Sequence, residues 1–285
     1  MILFYLNNQS KHYSRIVRNL YRSYTGEKQI QSTQRFAINR ELNDRADIIV
    51  FAGMLRGDGL IYQYCKENNK NFIYIDHAYI DRGYNAGNSN GEWMRLTYNA
   101  FTWSKNLPES NDRWQTYFGR KYQLKPWNSH GGNKILVLPP SEATKFLFPE
   151  SVEWTEKAIE EIKKYTSDKI HIREKPDQPV SDPITNQVID RKKFIHEKTI
   201  EQDMMEAKLI VTFNSAVPVL GTIQGIPCYC SSHAAAYPMN IDLSNIHKPP
   251  EPKRQEWLNQ LVYHQYNTAE MKNGEFWKLI QKYYV

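Results

Sequence analysis

LIVTFNSAVPVLGTIQGIPCYCSS, residues 209–232, is the stretch that decides the fold. Leu209 to Phe213 is a short apolar run rich in β-branched residues, the signature of a strand buried on both faces. Small polar residues, Asn214 and Ser215, then open an apolar helical run from Ala216 to Gln224. Gly225 closes it, and Ile226-Pro227 leads into a second strand that ends at Cys230. Strand, helix and strand at this spacing make a βαβ unit with parallel strands. Backbone N–H groups at the helix start, with the hydroxyls of Thr212 and Ser215 beside them, form a natural phosphate site. The same turn also reads as an ordinary capped βα connection, because Ser and Asn are favoured N-caps whatever the function.

Upstream of this unit the spacing predicts strands at Lys134–Leu138 and Lys169–Ile172, and helices at Trp154–Tyr165 and Ile200–Ala207. The first half alternates in the same way. Ile2–Leu6, Ala46–Ala52 and Asn71–Asp76 read as strands, and Lys11–Tyr24 and Gly59–Asn68 as helices. Between Trp103 and Gly132, prolines, a Gly-Gly pair and polar residues interrupt the pattern and read as a connector. The expectation is an α/β protein of two Rossmann-like lobes with a ligand cleft between them. The expected divisions are residues 1–125, residues 126–250 and a helical segment at 251–285.

The order of apolar strand, Ser/Asn-rich turn, helix, Gly-Ile-Pro and strand resembles the donor-binding half of GT-B-fold glycosyltransferases. In that family the short helix addresses the phosphates of a nucleotide-sugar donor. The resemblance implies that Thr212, Asn214, Ser215, Ala216, Ser231 and Ser232 line the donor site. His171-Ile172-Arg173-Glu174-Lys175-Pro176 looks like the basic loop found at the equivalent point, where Arg173 and Lys175 would neutralise a diphosphate. A solvated basic turn is the other reading of that loop. Further on, Arg254, Trp257-Leu258, Gln265, Glu270 and Gly274-Glu275-Phe276-Trp277 resemble a C-terminal signature of phage and bacterial proteins associated with sugar transfer. The likeness covers about the last hundred residues and leaves the first half without a motif.

In the first half, Asp76-His77-Ala78-Tyr79-Ile80-Asp81-Arg82-Gly83-Tyr84 follows a buried strand, so its ionisable groups belong at the carboxyl edge of a sheet. An inverting sugar transfer needs a base for the acceptor hydroxyl's proton, and Asp76, Asp81 and His77 are the candidates. Alternatively Asp76 caps a helix and His77 satisfies a loop. Gly53-Met54-Leu55-Arg56-Gly57-Asp58-Gly59 is a second Gly-rich turn, with Arg56 available to a phosphate. It fits neither the Walker A nor the GxGxxG spacing.

Composition bounds the remaining choices. The 285 residues carry a net charge of +6, 40% hydrophobic residues and 13% aromatic residues, among them 19 Tyr and 7 Trp. A mildly basic, ring-rich chain favours phosphorylated or polyanionic partners and flat stacking ligands. Cys65, Cys228 and Cys230 have no disulfide framework or zinc spacing and read as buried thiols. No metalloprotease or serine-hydrolase motif is present, and metal dependence stays open. The start, MILFYLNNQS, reads as a strand and not a leader, and no apolar run is long enough to cross a membrane. A soluble, cytoplasmic protein is expected, in the host cytoplasm if phage-encoded.

Two acceptor classes remain. Arg15 and Arg18 on the basic first helix, with Arg56, Tyr79, Tyr84, Trp93 and Arg95, offer cations interleaved with rings, as DNA binding and base flipping require. The Lys/Asn/Tyr-rich composition is phage-like. Hydroxymethylated pyrimidine in phage DNA is therefore the first expectation, with UDP-glucose as the default donor and no other cofactor. A cell-surface polysaccharide or lipid-linked glycan is the alternative. A non-catalytic nucleotide- or DNA-binding module is the third.

Overall fold

The computed structural model describes residues 1–39, 45–81, 92–104, 107–129 and 131–283. Along the chain the elements begin with β1 (Ile2–Leu6), α1 (Lys11–Ser23), β2 (Lys28–Ser32), α2 (Thr33–Asn39) and β3 (Ile48–Ala52). Next come α3 (Asp58–Glu67), β4 (Asn71–His77), β5 (Trp93–Tyr98), β6 (Lys134–Leu138), α4 (Glu142–Leu147) and α5 (Trp154–Lys163). They continue through β7 (Lys169–Ile172), β8 (Asp177–Ser181), β9 (Val188–Lys193), α6 (Ile200–Met205), β10 (Ala207–Thr212), α7 (Val217–Ile223) and β11 (Cys228–Cys230). The last four are α8 (Arg254–Leu261), β12 (Gln265–Asn267), α9 (Thr268–Asn273) and α10 (Glu275–Tyr283).

These elements form two compact units. The first comprises Met1–Leu107, Val180–Asp190 and Tyr263–Val285, and the second Pro108–Pro179 and Arg191–Val262. The division differs from the one expected at residue 125. Residues 108–125 group with the second unit, and most of the tail groups with the first.

The first unit is built on a six-stranded sheet in the order β12-β5-β4-β3-β1-β2. β1 to β4 run parallel, whereas β5 is antiparallel to β4 and β12 antiparallel to β5. In the central strands period-two alternation sorts the side chains onto two covered faces. Phe4, Val50 and Ile73 point to a core shared with Ile16, Val17 and Leu20 of α1 and with Met271, Phe276 and Ile280 of α9 and α10. The opposite face is aromatic. Tyr5 meets Phe36 of α2 at 5.6 Å, and Phe72 meets Tyr62 of α3 at 5.6 Å. Burying a side chain such as Phe276 is worth roughly 1.5–3 kcal/mol. The Trp277 indole N–H also donates to Leu20 O and Ser23 Oγ, both at 3.1 Å, which fastens α10 to the end of α1.

The second unit carries a four-stranded parallel sheet, β11-β10-β6-β7. On one face Ile135, Val137, Leu209 and Val211 pack against Ala158 and Ile162 of α5 and against Ile241, Leu243 and Ile246. On the other, Leu136, Leu138 and Ile210 pack with Met204, Ile226 and the inner side of α7. Each unit is thus a sheet covered by helices on both faces, in agreement with the expected Rossmann-like α/β class. Gly225, at φ +82°, ends α7, and a Cβ there would lie 2.1 Å from the carbonyl oxygen of Pro126. Only glycine fits that crossing.

Candidate functional site

Parallel strands deliver their following loops to one edge of a sheet, which is where ligands bind in such folds. In the first unit the loops after β1, β3 and β4 meet the amino end of α1. Gly53 follows β3 at φ +80°, and a Cβ on it would lie 2.7 Å from the ring of Tyr13. The missing side chain lets Tyr13 cross the strand end and donate its hydroxyl to Asp76 Oδ1 at 2.8 Å.

Asp76 is the hub of this edge. Oδ1 also accepts the His77 backbone N–H at 2.8 Å, and Oδ2 accepts Tyr74 Oη and Arg95 Nη2, each at 2.9 Å. Arg95 is buried, its guanidinium set among the rings of Tyr74, Tyr79 and Phe101 at 5.7, 5.3 and 5.8 Å. Burial alone would raise the Asp76 carboxyl, but Arg95, His77 and the hydrogen bonds outweigh it and hold the group down at about 2. A carboxylate so low, with four donors already on it, is a poor proton acceptor near neutral pH. Asp76, expected among the candidates for the base, is the group around which the hydrogen bonds of this edge are organised.

His77, half-buried, comes next, its backbone N–H held by Asp76. Its ring lies 5.7 Å from that of Tyr13 and stacks on His12 at 5.9 Å. His12 Nδ1 is 3.2 Å from Glu92 Oε1, and the other Glu92 oxygen takes Arg15 Nη2. Burial pushes the His12 imidazole below its usual range, with Glu92 opposing. The loop after His77 is fixed by Gln265 of β12, whose Oε1 accepts the N–H groups of Tyr79 (2.6 Å) and Ile80 (2.8 Å). Asp81 follows in a left-handed conformation, φ +57°. No local pattern announces the His12–Glu92 contact, because its partners lie 80 positions apart.

The residues expected to meet DNA are mostly occupied inside the fold. Tyr79, Trp93 and Arg95 are buried, and Arg15 is held by Glu92. Arg18 is exposed on α1, and Arg56 sits half-buried in the Gly53–Gly59 turn at φ +62°. Tyr84 lies outside the described residues.

In the second unit the carboxyl edge gathers the starts of α4 and α7 and the loop after β11. Ser141 caps α4, its Oγ accepting Thr144 N at 3.3 Å. Asn214 touches Thr144 at 3.4 Å, and Ser215 Oγ accepts Val217 N at 3.2 Å. Asn214 and Ser215 are half-buried and Ser232 is exposed, so these three keep an open side. Thr212 does not: its hydroxyl donates to Leu138 O at 2.8 Å, and the residue is buried. Ser231 Oγ donates to Phe213 O at 2.6 Å, and Ala216 is buried as the residue before α7. Beside them His233 stacks on Phe213 at 5.1 Å, and its Nε2 is 3.1 Å from Glu150 Oε1.

Arg173, expected at a diphosphate, is buried, and its guanidinium pairs with Asp203 Oδ2 at 2.5 Å. Asp203 Oδ1 accepts Lys134 Nζ at 2.7 Å, and His171 Nε2 stands 3.3 Å from Oδ2. Burial opposes the Asp203 charge, yet Lys134 and Arg173 hold the carboxyl at about 2. The neighbouring Lys175 remains exposed. Among the described residues no group of His, Cys, Asp and Glu could hold a metal ion. No described helix is long and apolar enough to cross a membrane.

The C-terminal signature residues have structural partners. Arg254 Nη1 donates to Thr222 O at 2.7 Å and its guanidinium lies 4.3 Å from the Trp127 ring centroid. Trp257 Nε1 donates to Ala235 O at 3.0 Å, and Glu270 closes a capping box with Asn267.

No family model matches the chain, and no curated protein does. Among solved structures it is similar to two glycosyltransferases of Thermosulfurimonas dismutans KpsC. For the β-Kdo 2,4 transferase the TM-score is 0.49 at 11% identity, over 95% of this chain and 94% of that one. For the β-Kdo 2,7 transferase the TM-score is 0.46 at 10% identity, over 99% of both chains.

Proposed function

We propose that the chain is a nucleotide-sugar-dependent glycosyltransferase whose acceptor is a cell-surface polysaccharide or lipid-linked glycan. The observation that carries this reading is the edge of the first unit, where a saturated, ionised Asp76 fixes a half-buried His77 beside the His12–Glu92 pair. His77 is the residue there suited to take a proton from an acceptor hydroxyl, the step an inverting transfer requires. Asn214, Ser215 and Ser232, with the exposed Lys175, supply the polar groups and charge for a sugar nucleotide in the second unit. The glycan is preferred to DNA because Tyr79, Trp93, Arg95 and Arg15, on which base stacking and phosphate contact depended, are committed within the fold. The test is a transfer assay with a panel of nucleotide sugars, including a donor of the acidic sugar Kdo named for the two similar chains. Acceptors are oligosaccharides and, in parallel, hydroxymethylated DNA. A sugar-sized mass gain on the oligosaccharide supports the proposal, and a gain on DNA alone overturns its acceptor.

A further inference from the structure

The helices α1, α9 and α10 form one layer over the first unit's sheet, and its outward side is strongly charged. On α1, Lys11, Arg15, Arg18 and Arg22 recur at intervals of four, three and four residues, which puts them in one stripe about 16 Å long. No acid occurs in that helix. Lys272 of α9 and Lys278 and Lys282 of α10 are exposed on the helices beside it. These three helices hold two carboxylates: Glu270 is buried in its capping box and Glu275 is exposed. Arg15 is held by Glu92, so six exposed cations face water with one exposed acid among them. Packing does not require this arrangement, since the apolar sides of the helices already fill the core.

We propose that this layer is an electrostatic docking surface for an anionic lipid bilayer. A bilayer matches it better than a nucleic acid does. The charges spread over three adjacent helices, in two dimensions, and not along one track; the rings Tyr21, Tyr24 and Trp277 beside them pack into the core, and Tyr283 at the end of α10 is the exposed ring among those on these helices. Juxtaposed cations each add about fivefold to partition onto an anionic surface, and the attraction fades with salt. The inference goes beyond sugar transfer and does not depend on it, because vesicle binding is read without any donor or acceptor.

The experiment is co-sedimentation of the full chain with vesicles of phosphatidylcholine alone or with 30% phosphatidylglycerol, at low and high salt. The expected result is binding to the anionic vesicles only, largely abolished by high salt. The variant Arg22→Gln/Lys272→Gln/Lys278→Gln should bind about a hundredfold more weakly, with its unfolding midpoint unchanged. No binding to anionic vesicles, or equal binding by the triple variant, overturns the proposal. Salt-sensitive retention of a DNA or RNA duplex without vesicle binding overturns it too, and assigns the surface to nucleic acid.

Discussion

Replacing Asp76 by Asn should damage the protein's stability before it touches any chemistry. The carboxylate accepts four hydrogen bonds, two on each oxygen, from Tyr13, His77 N–H, Tyr74 and Arg95. Asparagine keeps one acceptor oxygen and turns an NH2 toward two donors. Arg95, 6% exposed, then keeps its charge with no carboxylate beside it. Breaking a buried pair from one side costs about 3–5 kcal/mol, and an orphaned buried donor costs about 1–3 kcal/mol. Asp76→Asn is therefore expected to lose about 3–5 kcal/mol in urea unfolding followed by far-UV dichroism, enough to consume much of a typical domain's stability. Asp76→Leu combined with Arg95→Met removes both charges and should recover part of that loss. His77→Gln, by contrast, should stay within about 1 kcal/mol of wild type. If Asp76→Asn unfolds within about 1 kcal/mol of wild type, the hub is not holding this edge and the assignment of roles to Asp76 and His77 fails.

Acid should destabilise the first unit well before carboxylates titrate. His264 is buried, its Nε2 accepting Ser104 N–H at 3.0 Å, and burial pushes it down to about 4. Because the unfolded chain binds this proton near pH 6.5 and the folded one does not until about 4, stability is complete above 6.5 and falls as pH drops through that window. The loss between pH 7 and pH 5 should be about 2 kcal/mol, measured by denaturant unfolding, and His264→Gln should flatten the slope. Gly225→Ala should cost about 2 kcal/mol or more, seen as a lowered melting temperature, since it combines a left-handed φ with a methyl group against the carbonyl of Pro126.

The parallel cores were readable because β1, β3 and β6 are short runs buried on both faces, with Lys134 at the start of β6 as their one charged residue. β2 (KQIQS) escaped notice because it is an edge strand whose Gln29 and Ile30 are exposed. β12 is three residues long and takes its place only through pairing with β5, 170 positions earlier. The place of the tail was hidden for the same reason: Trp277 looks like part of a separate segment until its indole is seen to bond the end of α1. At the sites, residue type was legible and partnership was not. Arg173 has the look of a phosphate ligand, and nothing in its own loop announces Asp203 thirty residues on. Thr212 likewise sits in the expected turn, but spends its hydroxyl on the neighbouring strand. His77 stands out in the sequence because it closes a strongly apolar strand, whereas His12 belongs to a helix whose pattern predicts only amphipathicity.

The most direct test of the account is mass-resolved sugar transfer by wild type and His77→Gln, with donor affinity measured on both. The expected result is a sugar-sized gain on a glycan acceptor, a loss of about a hundredfold or more in the variant, and an unchanged donor dissociation constant. Absence of binding to every nucleotide sugar, together with no mass gain on any acceptor, would contradict it.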